Sequence, residues 1–170
     1  YDKLGSFYDA CAQVEIDEYR DYEKAAGALR EAHKFVMKAL GPGGEHDERA
    51  QNLQNRISMV EKFAEARKLA KTDRESMVAT CQRLLELPEL DSAVRVGDVF
   101  AQLVEHYVEV GNFPLAQQTI EQMRARGIVL SPYLDMQVIE QMRSKGIDMS
   151  QYMDGVAADN GGDVERPDSA

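Results

Sequence analysis

The side chains best suited to chemistry in this 170-residue chain are two cysteines, Cys11 and Cys81, and three histidines, His33, His46 and His106. A thiol beside an imidazole can lose its proton to the ring and become a nucleophile. Cys81 with His106 is the pair that a hydrolase would use. Nothing places a third group to orient the imidazole, and both thiols sit in apolar runs (Cys11 between Tyr8 and Ala12), where cysteine serves as a small core residue. His46-Asp47-Glu48 groups three potential cation ligands, but acids at a helix start also complement the helix dipole. No HExxH, CxxC or Cys/His metal spacing occurs. Gly41-Pro42-Gly43-Gly44 lacks the Lys-Ser/Thr of a phosphate loop and follows a helix rather than a strand. The acids Glu15, Asp17, Glu18, Asp21 and Glu23 lack the central glycine of a calcium loop, and read as a solvated face. The chain is therefore expected to have no catalytic residue, metal, cofactor or small-molecule substrate, and not to be an enzyme.

The elements carrying these residues are helical. Hydrophobic residues make up 44% of the chain and charged residues 29%, a mixture that folds around a core, and no apolar run approaches the roughly 20 residues of a membrane span. Two cysteines and no Asn-x-Ser/Thr sequon suggest a reducing, intracellular setting. The chain opens at Tyr1 inside a helical pattern, as a piece of a longer protein would. No stretch alternates as a strand does, and turn signals come far apart. Cuts at Tyr19–Tyr22, at Gly41–Gly44, near Thr72, after Leu87-Pro88, at Gly111-Asn112 and from Gly127 to Pro132 predict seven helices. These are about 2–19, 22–40, 47–70, 74–87, 92–110, 113–126 and 132–145, the fifth capped by Asp91 or Ser92.

Charge is uneven. The net charge is −10, and residues 148–170, with one basic and six acidic side chains, contribute −5 of it. That stretch is also poor in large apolar residues, so a domain of 1–147 followed by a flexible acidic tail over 148–170 is expected.

The spacing of small and aromatic residues points to paired, stacked helices. Phe100, Leu103, Tyr107, Gly111, Phe113, Ala116, Ile120 and Met123 follow the tetratricopeptide pattern, with Val104 and Met123 where smaller residues are usual. Tyr22, Ala25, Leu29 and Ala32 echo its second half; Met77, Cys81 and Leu84 do so loosely. Alanine at a crossing lets helix axes approach within 8–10 Å, and hairpins apolar on both flanks must stack to bury them. The fold expected is all-α, a degenerate tetratricopeptide-like solenoid of lengthened hairpins. Gln13, Asp17, Gln102 and His106 are candidate partner-facing residues. The seventh helix is expected to cap the array with Tyr133, Met136, Ile139 and Met142 inward.

A second reading rests on an internal echo. Glu121-Gln122-Met123-Arg124-Ala125-Arg126-Gly127-Ile128 recurs as Glu140-Gln141-Met142-Arg143-Ser144-Lys145-Gly146-Ile147, which faintly resembles a pentatricopeptide unit that reads single-stranded RNA. The plainer explanation is a pair of amphipathic helices that end in basic residues and a glycine cap. With acids in excess, residues 92–147 lack the basic stripe that phosphates need, so no nucleic acid is expected. No direct membrane contact is expected either, because the polar faces are acidic.

Two stretches carry a closer likeness. Tyr1-Asp2-Lys3-Leu4-Gly5 with Phe7-Tyr8-Asp9-Ala10-Cys11-Ala12-Gln13-Val14-Glu15-Ile16-Asp17-Glu18-Tyr19, and Asp91-Ser92 with Arg95-Val96-Gly97-Asp98-Val99-Phe100 to Leu103-Val104-Glu105-His106-Tyr107, resemble the C-terminal tetratricopeptide region of the large (140) subunit of intraflagellar transport complex A. Residues 41–75 and 127–170 depart from that pattern. The resemblance implies a non-enzymatic protein–protein interaction scaffold at the distal end of a solenoid. It implies partners among the other complex A subunits, and work in retrograde transport and cargo entry in the cilium or flagellum, with cytoplasmic residence at the basal body. It supplies no catalytic residues.

Overall fold

The computed structural model describes residues 1–152, and those residues form an all-α chain with no strand among them. Seven α-helices follow in order: α1 (Asp2–Asp17), α2 (Tyr22–Leu40), α3 (Glu48–Leu69), α4 (Arg74–Leu85), α5 (Val96–Glu109), α6 (Phe113–Ala125) and α7 (Met136–Ser144). Short 3-10 turns lie at Gly44–His46, Leu90–Ser92 and Ser150–Tyr152. The expected tail beyond Tyr152 lies outside the described residues. Of its first part, Met149 and Tyr152 are buried.

Side chains that accept from orphan N–H groups start most of these helices. Asp21, Asp47, Asp73, Asn112 and Asp135 each accept from a backbone N–H in the first turn of the helix that follows. Two helix starts differ from expectation by four residues, while α1 and α4 each end two residues early. Neither Asp91 nor Ser92 caps α5: residues 90–92 form a separate 3-10 turn, Ser92 Oγ donates to the Glu89 carbonyl, and the helix begins at Val96. Likewise α7 starts at Met136 behind the Asp135 cap and not at Pro132. Met136 is consequently 52% exposed, and Val138 is buried beside Ile139 and Met142 in its place.

Two compact units divide the chain, one spanning Tyr1–Val99 and the other beginning at Phe100. In the first, α1 packs on α2, α2 on α3 and α3 on α4. Ion pairs give the directions. Arg30 meets Glu61 at 2.5 Å and Glu23 meets Lys68 at 2.6 Å, so numbers rise along α2 as they fall along α3: the two are antiparallel. Between α1 and α3 the offset is constant. Asp2 meets Arg49, Asp9 meets Arg56, and the Arg20 carbonyl meets Arg67, each pair 47 residues apart. A constant difference means parallel helices in register, which is how the first helices of successive stacked hairpins run.

Small residues hold the first unit together. Ala12, Ala25, Ala32 and Ala66 are fully enclosed, and Gly5 is placed so that an added Cβ would lie 3.1 Å from Val36 Cγ2. Ala25→Leu is expected to destabilise by about 1–3 kcal/mol through overpacking, read as a shift of the urea midpoint; a midpoint that does not move contradicts a close crossing at Ala25.

In the second unit, the echoed octapeptides are helix endings. At the end of α6 the Ile128 N–H donates to Met123 O and that of Gly127 to Arg124 O; after α7 Ile147 donates to Met142 O and Gly146 to Arg143 O. Gly111 closes α5 in the same way, and all three glycines have φ between 74° and 81°. This is the Schellman arrangement, which favours glycine at the left-handed position and, at Gly127 and Gly146, is followed by an isoleucine. The enclosed Met123 and Met142 sit where that apolar residue makes contact.

Candidate functional site

The residues expected to pack the repeats fall as follows. Tyr22, Ala25, Leu29, Ala32, Phe100, Leu103, Tyr107, Ala116, Ile120 and Met123 are buried. Phe113 is half-buried, with Lys145 Nζ 5.8 Å from its ring centre. Of the candidate partner-facing residues, Gln13 and Asp17 are exposed on α1, where Gln13 Nε2 donates to Asp17 Oδ2 at 3.0 Å. Gln102 and His106 are half-buried on α5.

Cys81 lies fully enclosed in α4, and burial pushes its thiol up to about 12. A thiol so far above neutral pH stays protonated and does not attack. Brief iodoacetamide treatment of the native protein at neutral pH is expected to label half-buried Cys11 well before Cys81, followed by peptide mass spectrometry; equal labelling would contradict this burial. Below the ordinary thiol value of 9.0 both folded and unfolded chains keep the proton and this group leaves stability unchanged. As pH climbs from there toward about 12 the unfolded chain releases it first, so stability falls through that window. Tyr22, raised above its ordinary range first by burial and then by its hydrogen bond to Asp98, has the same sign at higher pH. The melting temperature is expected to drop on the alkaline side, and Cys81→Ala to soften the drop.

Three of the four basic residues of the echoed segments lie over rings, Arg124 over Tyr152 at 5.3 Å, Arg126 over Phe100 at 5.2 Å and Lys145 over Phe113, while Arg143 pairs with Glu140. Asp47 of the His46-Asp47-Glu48 run caps α3. Among the described residues no group of three or more metal-ligating side chains gathers, and no helix is long and apolar enough to cross a membrane.

What the first unit does build is a groove along α3, walled by α1 over one stretch and by the turn before α5 over the next. Three hollows of about 500, 600 and 420 Å³ share Arg56 as a wall. Ser6, Asp9 and Gln13 line it from α1, Asn52 and Asn55 from α3, and Ser92 from the turn before α5. Arg56 holds Asp9 with both guanidinium arms, at 2.8 and 3.1 Å, a fork that fixes both side chains. Its Nε is buried with no acceptor among the described residues. Arg49 is paired with Asp2 one step along. Sequence reading singled out Gln13 alone from this groove as partner-facing; a usable signal was present in the equal spacing of Asp2 and Asp9 with Arg49 and Arg56.

With parallel first helices, hairpins in register and glycine-capped turns in place, the family comparison is specific: the family model for the C-terminal tetratricopeptide domain of the large (140) intraflagellar transport subunit matches residues 2–124. The chain belongs to that family. The match runs from the first residue of α1 to the last residue but one of α6. It includes residues 41–75, which corrects the expectation that this stretch departs from the pattern; the stretch supplies α3 and so one wall of the groove. As a C-terminal tetratricopeptide domain of this kind, the protein belongs with the scaffolds of intraflagellar transport complex A.

Proposed function

We propose that this chain works as a non-enzymatic scaffold within complex A, joining other complex A subunits during retrograde ciliary transport and cargo entry. On this reading it resides in the cilium or flagellum and in the cytoplasm at the basal body, and it contacts neither nucleic acid nor membrane directly. The family match over residues 2–124 carries the reading. The enclosed, protonated thiol of Cys81 and the cations of Arg124, Arg126 and Lys145, each set over a ring, accord with it. The domain boundary at 147 with an acidic segment after it belongs to the same proposal.

The test is co-purification from ciliated cells with this chain as bait, its folding shown by circular dichroism. Complex A subunits are expected in the eluate. A folded bait that recovers none of them, or that retains RNA in a salt-sensitive way, overturns the reading.

A further inference from the structure

The groove along α3 has a composition that selects its occupant. Ser6, Asn52 and Asn55 are exposed, and their side chains have no hydrogen-bond partner among the described residues. A carboxamide offers one acceptor and two donors, enough to meet both the C=O and the N–H of one residue in an extended chain. Asn52 and Asn55 stand three apart on α3, so their side chains project about 5–6 Å from one another. Same-side residues of an extended chain repeat every roughly 6.8 Å. Side-chain rotamers close that difference. The two asparagines thus match the backbone of a strand-like segment lying along α3, with Ser6 across from Asn52 and the 88–92 turn across from Asn55.

Charge sets the sign of the partner. The charged residues along the hollows are Asp9, Asp47, Glu48, Glu89 and Asp91 against Arg49 and Arg56. Both arginines are already matched, by Asp2 and Asp9. Glu89 and Asp91 are exposed at the end formed with Pro88 and Ser92, so cations entering there meet carboxylates.

We propose that this groove binds an extended, lysine- or arginine-bearing segment of a partner protein, with its backbone held by Asn52 and Asn55 and its cations by Glu89 and Asp91. This rests on the scaffold reading above and names the partner chemistry of the same unit. A second copy of the chain fits poorly, since each copy carries −10.

The experiment measures fluorescence anisotropy of labelled short peptide pools on the full chain, one pool with lysine fixed at alternate positions and one with glutamate there. The lysine pool is expected to bind, more weakly as salt rises, and the glutamate pool not to bind. Asn52→Ala with Asn55→Ala, at exposed positions where folding is undisturbed, is expected to weaken the lysine pool about tenfold, as losing two or so hydrogen bonds does. Glu89→Lys with Asp91→Lys is expected to abolish binding, while Glu65→Lys with Glu75→Lys, the same charge change outside the hollows, leaves most of it. Equal loss in both charge variants, indifference to the asparagine variant, preference for glutamate, or no binding by the lysine pool each overturns the proposal. The asparagine variant used as bait separates the two ideas. If it recovers complex A subunits as well as the parent does, the scaffold reading stands and the groove is not the contact; if the parent recovers none while the peptide result holds, the scaffold reading alone falls.

Discussion

Replacing Phe63 with alanine is expected to lower the stability of the first unit by about 3–5 kcal/mol, as large-to-small changes of buried aromatics do. Phe63 is 1% exposed on α3, and its ring meets that of Tyr22 edge to face at 4.7 Å and 78°. Arg67 lies across both rings, at 6.0 Å from Phe63 and 5.6 Å from Tyr22, and donates to the Arg20 carbonyl at the α1–α2 turn. One side chain therefore joins α2, α3 and the turn between α1 and α2. Truncating Phe63 leaves a cavity and removes a favourable ring pair together. Urea denaturation followed by circular dichroism measures the loss. A change below about 1 kcal/mol would mean that the site collapses around the gap and the ring is not central.

The second large effect is expected at Asp98. The Tyr22 hydroxyl donates to Asp98 Oδ2 at 2.5 Å and accepts from the Arg95 N–H at 3.2 Å, while Arg20 approaches Oδ1 at 3.5 Å. Asp98 also lies in the first turn of α5, where a carboxylate suits the helix dipole. Asp98→Ala leaves the buried Tyr22 donor without an acceptor and is expected to cost about 3 kcal/mol. Adding Tyr22→Phe removes the stranded hydroxyl, so the double variant is expected to lose less than the two single losses added together. Strict additivity in that cycle would show that the two side chains are not coupled. Asp98→Asn, which retains an acceptor, is expected to fall between the parent and Asp98→Ala.

Both predictions concern contacts that no local pattern announces. Tyr22 and Asp98 are 76 residues apart, and Arg20 and Arg67 are 47 apart. Helix existence, by contrast, was readable because it rests on short-range chemistry: aspartate or asparagine before a helix, glycine after it, apolar residues at three and four. The α5 start escaped because its N-terminal signal, Asp91-Ser92, serves a 3-10 turn instead; the two uses share the same residues, and packing chose between them. The inward placement of Met136 failed for a related reason. Moving the helix start to Asp135 makes Met136 the first residue of α7, 52% exposed there, while Val138 is enclosed.

The groove shows the limit most clearly. Asn52, Asn55 and Arg56 lie in a stretch where the sequence showed no family likeness but which the family match covers, and singly each is an ordinary polar helix residue. They become a wall only because α1 runs parallel to α3 beside Asn52 and Arg56 and the turn before α5 comes back beside Asn55, which depends on how hairpins stack and not on either helix's own sequence. The amino-acid order by itself determined an all-α chain, its turns, and its family, because periodicity, caps and consecutive residue matches are local properties. Tertiary structure alone decided which polar faces meet, which carboxylate holds which arginine, and which asparagines remain open to a partner, because those choices are made between residues brought together only when the hairpins close on one another.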